Sequence, residues 1–183
     1  FYPHQMDAVK LCLAALKRTE ITLKIRCLGP PPLINELLKF ARENEVEGNI
    51  ELLDPADESV IEKEAAGALC NVVFEDLDTS GEVSKGTLTG KFLRLLAFEP
   101  PVLVVVRKDS DIGLILNETD KGKIASNVDE IKWFLNEINS RSIYQGKNEK
   151  IISYSKNFQA KKFSRFMKDI MRSSTSSKVS IYQ

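Results

Sequence analysis

Residues 85–91 (KGTLTGK) combine the residue types that bind a phosphate or another anion. Gly86 and Gly90 have no side chain, so an anion can approach the backbone closely at both positions. Lys85 and Lys91 add positive charge at the two ends of the segment. The spacing differs from the GxxxxGK[ST] phosphate loop, because Phe92 follows Lys91 where Ser or Thr is required.

Thr89 predicts the start of a helix within this segment. Threonine is a favourable N-cap, and the predicted helix runs from Thr89 to Phe98. The amide groups of Thr89, Gly90 and Lys91 would then face an anion, because the first amides of a helix have no partner inside it. The alternative interpretation is an ordinary surface loop that ends at a Thr N-cap.

Two other parts of the chain carry groups that could contact a ligand. In residues 1–5 (FYPHQ), His4 either donates a hydrogen bond to a phosphate or is a solvated loop residue. Asp109, Asp111 and Gly113 follow an apolar strand, and helix capping is favoured over ligand binding for them. A metal or acid–base site is less favoured for the acidic residues that follow residue 74, which are Glu75, Asp76, Asp78 and Glu82. No Ser/His/Asp set can be assembled by spacing, so no catalytic residue is assigned.

Strands and helices are predicted to alternate along most of the chain. Short apolar or β-branched runs predict strands, and residues 102–106 (VLVVV) have the continuous apolar pattern of a strand covered on both faces. Between them, apolar residues recur at helical spacing. This order predicts a Rossmann-like α/β fold, a doubly wound parallel sheet flanked by helices. The predicted strands are 21–28, 50–53, 71–74, 102–106 and 123–125.

The predicted organisation has three parts. Residues 1–140 form the Rossmann-like nucleotide-sugar-binding domain, residues 141–172 a C-terminal crossing helix that starts near residue 148, and residues 173–183 a mobile tail. The 183 residues carry no net charge, so no broad electrostatic field favours nucleic acid. No apolar run approaches the roughly 20 residues that span a bilayer, and a cytoplasmic location is expected. Three dispersed cysteines and one histidine make a zinc site unlikely and favour buried, reduced thiols.

Residues 85–97 (KGTLTGKFLRLLA) and the strand that begins after Pro101 resemble the donor-binding half of GT-B glycosyltransferases of the family-four-like group. The resemblance extends to residues 109–119, to Tyr154–Asn157 with the following Ala160–Lys162, and to residues 1–5, which are similar to the start of the donor domain just after its first strand. It covers about residues 1–171.

The resemblance implies a domain that binds a nucleotide-diphosphate sugar and works with an N-terminal acceptor-binding half. The donor diphosphate would be held by Gly86, Thr87, Leu88, Thr89, Gly90 and Lys91. Further donor contacts are expected from His4, Lys85, Arg94 and Glu75, and the base would lie near residues 53–55. No cofactor, metal or nucleic acid is implied. The missing half would provide any peripheral association with the inner face of a membrane.

Three residues differ from the pattern of this family. Arg94 stands where the family has a glutamate that holds the ribose hydroxyls, and Gly86 replaces the acidic residue eight positions earlier. Glu99 occupies a position where glycine is usual. Arg94 could therefore pair with a phosphate or with Glu99, or be a solvated arginine on the helix surface. The alternative function is a non-catalytic GT-B-like scaffold that has lost donor binding.

Overall fold

The computed structural model describes residues 2–26, 29–78, 86, 88–140, 144 and 146–176. The chain divides into two compact units, Phe1–Lys147 and Asn148–Gln183. The first unit alternates parallel strands with helices, which confirms the α/β class.

The strands of the described residues are four residues long, and helices connect them. The strands are β1 (Leu23–Arg26), β2 (Ile50–Leu53), β3 (Asn71–Phe74), β4 (Val102–Val105) and β5 (Gly122–Ala125). The helices of the first unit are α1 (Met6–Leu16), α2 (Pro31–Glu43), α3 (Glu58–Gly67), α4 (Gly90–Leu95), α5 (Asp111–Thr119) and α6 (Val128–Ser140). Two 3₁₀ turns, Pro3–Gln5 and Glu47–Asn49, precede α1 and β2.

The described strands form two parallel sheets rather than the single sheet predicted from the sequence. β1 pairs with β2, with Leu23 opposite Ile50 and Arg26 opposite Leu53. In the second sheet β4 lies between β3 and β5. Within the described residues no backbone ladder joins the two sheets, so β1 and β3 each have one edge that pairs with no described strand.

One apolar core nevertheless includes residues from both sheets. Leu23 of β1 and Leu103 of β4 belong to the same buried cluster, together with Leu13 of α1, Leu37 of α2 and Phe134 of α6. Helix α1 packs against α2, α6 and β4. Side-chain packing against α1 therefore connects the two sheets.

Strand β4 is buried on both faces, as its continuous apolar sequence predicts. All four residues, Val102–Val105, are 0% exposed. Because side chains alternate along a strand, Leu103 faces the core cluster and its neighbours face the opposite side. The buried residues Phe92 of α4 and Ile112 of α5 lie outside that cluster and supply apolar cover for the other side.

The helix after Thr89 is shorter than predicted. It ends at Leu95, and the amides of Ala97 and Phe98 donate to carbonyls three residues back, at 3.1 and 3.2 Å. Bonds of this kind tighten the last turn of a helix. Pro100, which lacks an amide hydrogen, then follows.

The second unit contains two helices where the sequence predicted one. These are α7 (Asn148–Ser153) and α8 (Lys156–Ser176). Ser155 begins α8, because its hydroxyl accepts a hydrogen bond from the Phe158 amide at 3.2 Å. Helix α8 also extends into residues 173–176, which were predicted to belong to the mobile tail.

Both described cysteines are free thiols, and the expected burial holds fully for Cys12. Cys12 is buried and Cys70 is half-buried. Burial raises the pKa of both thiols to about 12, so both are protonated at neutral pH. Cys27 lies outside the described residues.

We expect Gly122→Ala to destabilise the first unit strongly. Gly122 has φ +157, and a Cβ added there would lie 1.8 Å from the Val102 carbonyl oxygen. The free energy of unfolding should fall by about 3 kcal/mol or more in urea denaturation, because backbone must move to relieve the clash. Gly48→Ala is the control, since a Cβ at Gly48 meets no atom within 4 Å. Equal losses in the two variants would contradict this account.

Candidate functional site

The candidate site lies at the carboxyl end of β3, where Glu75 follows the strand. The Glu75 amide donates to the Val105 carbonyl at 3.0 Å, so the backbone continues the ladder with β4 for one more residue. Glu75 is only 4% exposed, which is unusual for a carboxylate. In open parallel α/β sheets ligands bind outside the carboxyl ends of the strands, so a buried acid here is a candidate ligand contact.

The residues that precede α1 meet Glu75 at this edge. Gln5 hydrogen bonds to the Glu75 side chain, and its Oε1 accepts a hydrogen bond from the Tyr2 amide at 2.9 Å. The rings of Tyr2 and His4 stack with their centroids 5.6 Å apart. Residues 2–5 are therefore held in a fixed arrangement beside β3.

Burial, a hydrogen bond and nearby charges all shift the pKa of Glu75. Burial raises the pKa of the Glu75 carboxyl above its usual range. The hydrogen bond from Gln5 and the positive charges of His4 and Lys91 act in the opposite direction, while Asp76 adds to the rise. Of the residues singled out in the sequence, His4 and Lys91 are thus near enough to Glu75 for their charges to lower its pKa.

Helix α4 begins directly after Thr89, as the sequence predicted. The Thr89 hydroxyl accepts a hydrogen bond from the Phe92 amide at 3.4 Å, which confirms Thr89 as the N-cap. Phe92 is fully buried and anchors the helix. Helix α4 has only six residues, so its dipole is small.

The glycines next to this helix leave open space. Among the described residues, a Cβ added at Gly90 would meet no atom within 4 Å, so none of these residues requires glycine there. A Cβ at Gly86 would lie 3.7 Å from Asp111 Oδ2, which puts Gly86 near the first turn of α5. Leu88 is exposed. Lys85 and Thr87 lie outside the described residues.

Arg107, which the sequence analysis missed, carries a buried charge after β4. Its Nε donates to Asp109 Oδ1 at 2.6 Å, its Nη2 to Asp109 Oδ2 at 2.9 Å and its Nη1 to the Asp78 carbonyl at 3.2 Å. Ser110, rather than an aspartate, caps α5 by accepting from the Gly113 amide. A cation placed directly after a fully apolar strand was the available signal for Arg107.

Arg94 lies on α4 and pairs with two acids of α3. Its Nη2 is 2.6 Å from Glu58 Oε1 and 2.7 Å from Glu62 Oε1. These hydrogen bonds and charges raise the pKa of Arg94. The sequence offered Glu99 as a partner for Arg94. The backbone carbonyl of Glu99 accepts a hydrogen bond from Lys121.

Residues 53–55, which were expected to contact the base, are hydrogen bonded to β1 through Asp54. Arg26 donates to the Asp54 carbonyl and pairs with Glu64 of α3, through Nε at 2.8 Å and Nη2 at 2.6 Å. Hydrogen bonding to Glu64 raises the pKa of Arg26. In the described part of the chain, no group of three or more His, Cys, Asp or Glu side chains is placed to hold a metal ion.

Comparison with known proteins adds no relative to this description. No family model and no curated protein matches the sequence. The residues and their geometry are therefore the basis of the functional assignment.

We expect Glu75→Gln to stabilise the protein increasingly as the pH rises. Because the pKa of Glu75 is higher in the folded state, the stability that protonated Glu75 contributes is present below its unfolded pKa of about 4.3 and is lost as the pH rises through the folded pKa. The glutamine stays neutral and avoids this loss. Melting temperatures of both proteins from acidic to neutral pH test this.

Glu64→Gln is the matched control with the opposite sign. A hydrogen bond from Arg26 lowers the pKa of Glu64, so the ionised form stabilises the fold at neutral pH and this stability is lost in acid. This variant should be less stable than the natural protein at neutral pH and should approach it as the pH falls. Parallel trends for the two variants would refute the assigned electrostatics.

Proposed function

We propose that this chain is the donor-binding half of a GT-B glycosyltransferase, which transfers a sugar from a nucleotide-diphosphate sugar to an acceptor. The partner that the proposal requires is an acceptor-binding half of the same protein. The location that goes with it is cytoplasmic, at or near the inner face of a membrane.

The observation that carries the proposal is the meeting of two segments far apart in the sequence. Residues 1–5 and residues 85–91 were each singled out as possible donor contacts. Glu75 hydrogen bonds to Gln5, and the charges of His4 and Lys91 lower its pKa, so each segment contributes at least one residue to the surroundings of Glu75. Glu75 follows the carboxyl end of β3, and such an end is the usual ligand position in open α/β sheets.

The order of the strands supports the same proposal. Helices α1, α2 and α6 share the core, whereas α3 lies beside α4 through the Arg94 ion pairs. Crossovers between parallel strands are right-handed, so a crossover helix on one face moves the chain in one direction across the sheet and a helix on the other face moves it back. With α2 and α3 on opposite faces, β3 therefore lies on the side of β1 away from β2. The edges of β1 and β3 that no described strand pairs then face each other. A strand leading into residue 1, as the GT-B resemblance implies, would fit between them and end beside Glu75.

In this proposal the protein acts mainly by position and charge. Breaking the bond between sugar and phosphate leaves negative charge on the nucleoside diphosphate. Lys91 and the amides at the start of α4 would stabilise that charge, and Gly90 gives it access to the backbone. Glu75, buried beside Gln5, would accept a hydrogen bond from a donor hydroxyl when ionised and donate one when protonated.

A non-catalytic scaffold is the second candidate function. It is favoured by Arg94, which replaces an acid of the family and is already paired with Glu58 and Glu62 of α3. A scaffold of this kind would keep the fold and lose donor binding. Titration with nucleotide therefore separates the two candidates.

We expect uridine or guanosine diphosphate to bind this chain, and Gly90→Ala to weaken that binding at least about ten-fold without unfolding the protein. The added methyl meets no atom of the described residues within 4 Å but would stand where the phosphate approaches. Lys91→Met should also cost about ten-fold, since one charge-assisted hydrogen bond contributes roughly 1.5–3 kcal/mol. Isothermal calorimetry with each nucleotide measures both effects.

Gly67→Ala on α3 is the matched control, because a Cβ there also meets no atom within 4 Å. It should bind nucleotide like the natural protein. Absence of binding at millimolar nucleotide, with the fold intact by circular dichroism, would eliminate the donor-domain proposal and leave the scaffold. Equal binding by Gly90→Ala and the natural protein would eliminate the assigned diphosphate position.

A further inference from the structure

Helix α8 of the second unit is long and exposed. Its 21 residues, Lys156–Ser176, correspond to about 31 Å of helix at 1.5 Å per residue. Every described side chain from Ser155 to Arg172 is exposed. No helix among the described residues is long and apolar enough to cross a membrane.

One face of α8 is apolar and lies open. At about 100° per residue, five large apolar side chains fall within an arc of about 140°. Phe163 is 64% exposed and Phe166 59% exposed. The five residues are Phe163, Phe166, Met167, Ile170 and Met171.

The opposite face of α8 is strongly cationic. Between residues 156 and 172 there are six lysines and arginines and a single acid, Asp169, although the whole chain has no net charge. Five of the six cations lie within an arc of about 120° opposite the apolar face, again at 100° per residue. These five are Lys161, Lys162, Arg165, Lys168 and Arg172.

We propose that α8 lies in the surface of an anionic lipid bilayer, with its apolar face inserted among the acyl chains. An aromatic apolar face opposite a Lys- and Arg-rich face is the pattern of helices that bind membrane interfaces. The long basic side chains extend toward the headgroups, and each contributes attraction to an anionic surface. A nucleic acid would leave Phe163 and Phe166 in water, and an apolar groove of a protein would leave the cations without a counterpart. An anionic bilayer satisfies both faces.

Sedimentation of the full chain with vesicles tests this proposal. We expect binding to vesicles of phosphatidylcholine mixed with phosphatidylserine to be at least about ten-fold stronger than binding to phosphatidylcholine alone. Added salt should weaken the binding, because it screens the attraction between lysines and headgroups. Equal binding to both kinds of vesicle, or binding to neither, would overturn the proposal.

Variants on the two faces separate the two contributions. Phe163→Ser with Phe166→Ser should weaken binding to the anionic vesicles about a hundred-fold, because two aromatic side chains no longer enter the bilayer. Lys161→Gln with Lys162→Gln and Arg165→Gln should weaken it at least about ten-fold and leave binding to neutral vesicles unchanged. Circular dichroism of each variant confirms that α8 is retained.

Leu114→Ser is the matched control, since Leu114 on α5 is also a large apolar residue, 69% exposed. It should bind vesicles like the natural protein, and a loss as large as that of the Phe163 and Phe166 variant would overturn the proposal.

Hydrogen exchange of the second unit gives an independent readout. Protection of α8 by a protein partner, in a chain that binds no vesicles, would refute the lipid surface and assign this face to that partner. Nucleotide binding does not enter these measurements, so their outcome is separate from that of the donor-domain proposal.

Discussion

Packing around helix α1 connects the two sheets of the first unit. Since no described backbone ladder runs between β1 and β3, the sheets are positioned by side chains that both share with α1. Val9 and Leu13 are fully buried, and α1 contacts α2, α6 and β4. Burial of one such side chain contributes roughly 1.5–3 kcal/mol, so the apolar contacts shared with α1 stabilise the arrangement of the two sheets.

The segment before the same helix also belongs to the candidate site. The residues just before α1 include Gln5, which bonds to Glu75, and the next helix after β3 supplies Lys91. Helix α1 is buried against the core along its length, and the segment that precedes it reaches Glu75 through Gln5. The polar residues of the candidate site therefore come from segments far apart in the sequence.

Charged side chains at the carboxyl ends of β3 and β4 are buried, whereas those that join α3 to α4 are exposed. Glu75 and Arg107 are buried at the ends of β3 and β4, and each is held by partners, as buried charges must be. Arg94 and its acids on α3 are exposed, and ion pairs of that kind add little to stability.

Local signals in the sequence determined the elements and their caps. The strand Ile50–Leu53, the strand Asn71–Phe74 and the N-cap Thr89 were predicted as they occur, because apolar runs and capping residues act over a few neighbouring positions. The tertiary structure alone decided that the strands form two sheets, that Gln5 meets Glu75, and that Arg94 pairs with Glu58 and Glu62. Each of these depends on which faces of the helices are buried together. Contacts between residues 32 to 70 positions apart are set by the crossovers and the shared core, and no pattern within a short window of sequence encodes them.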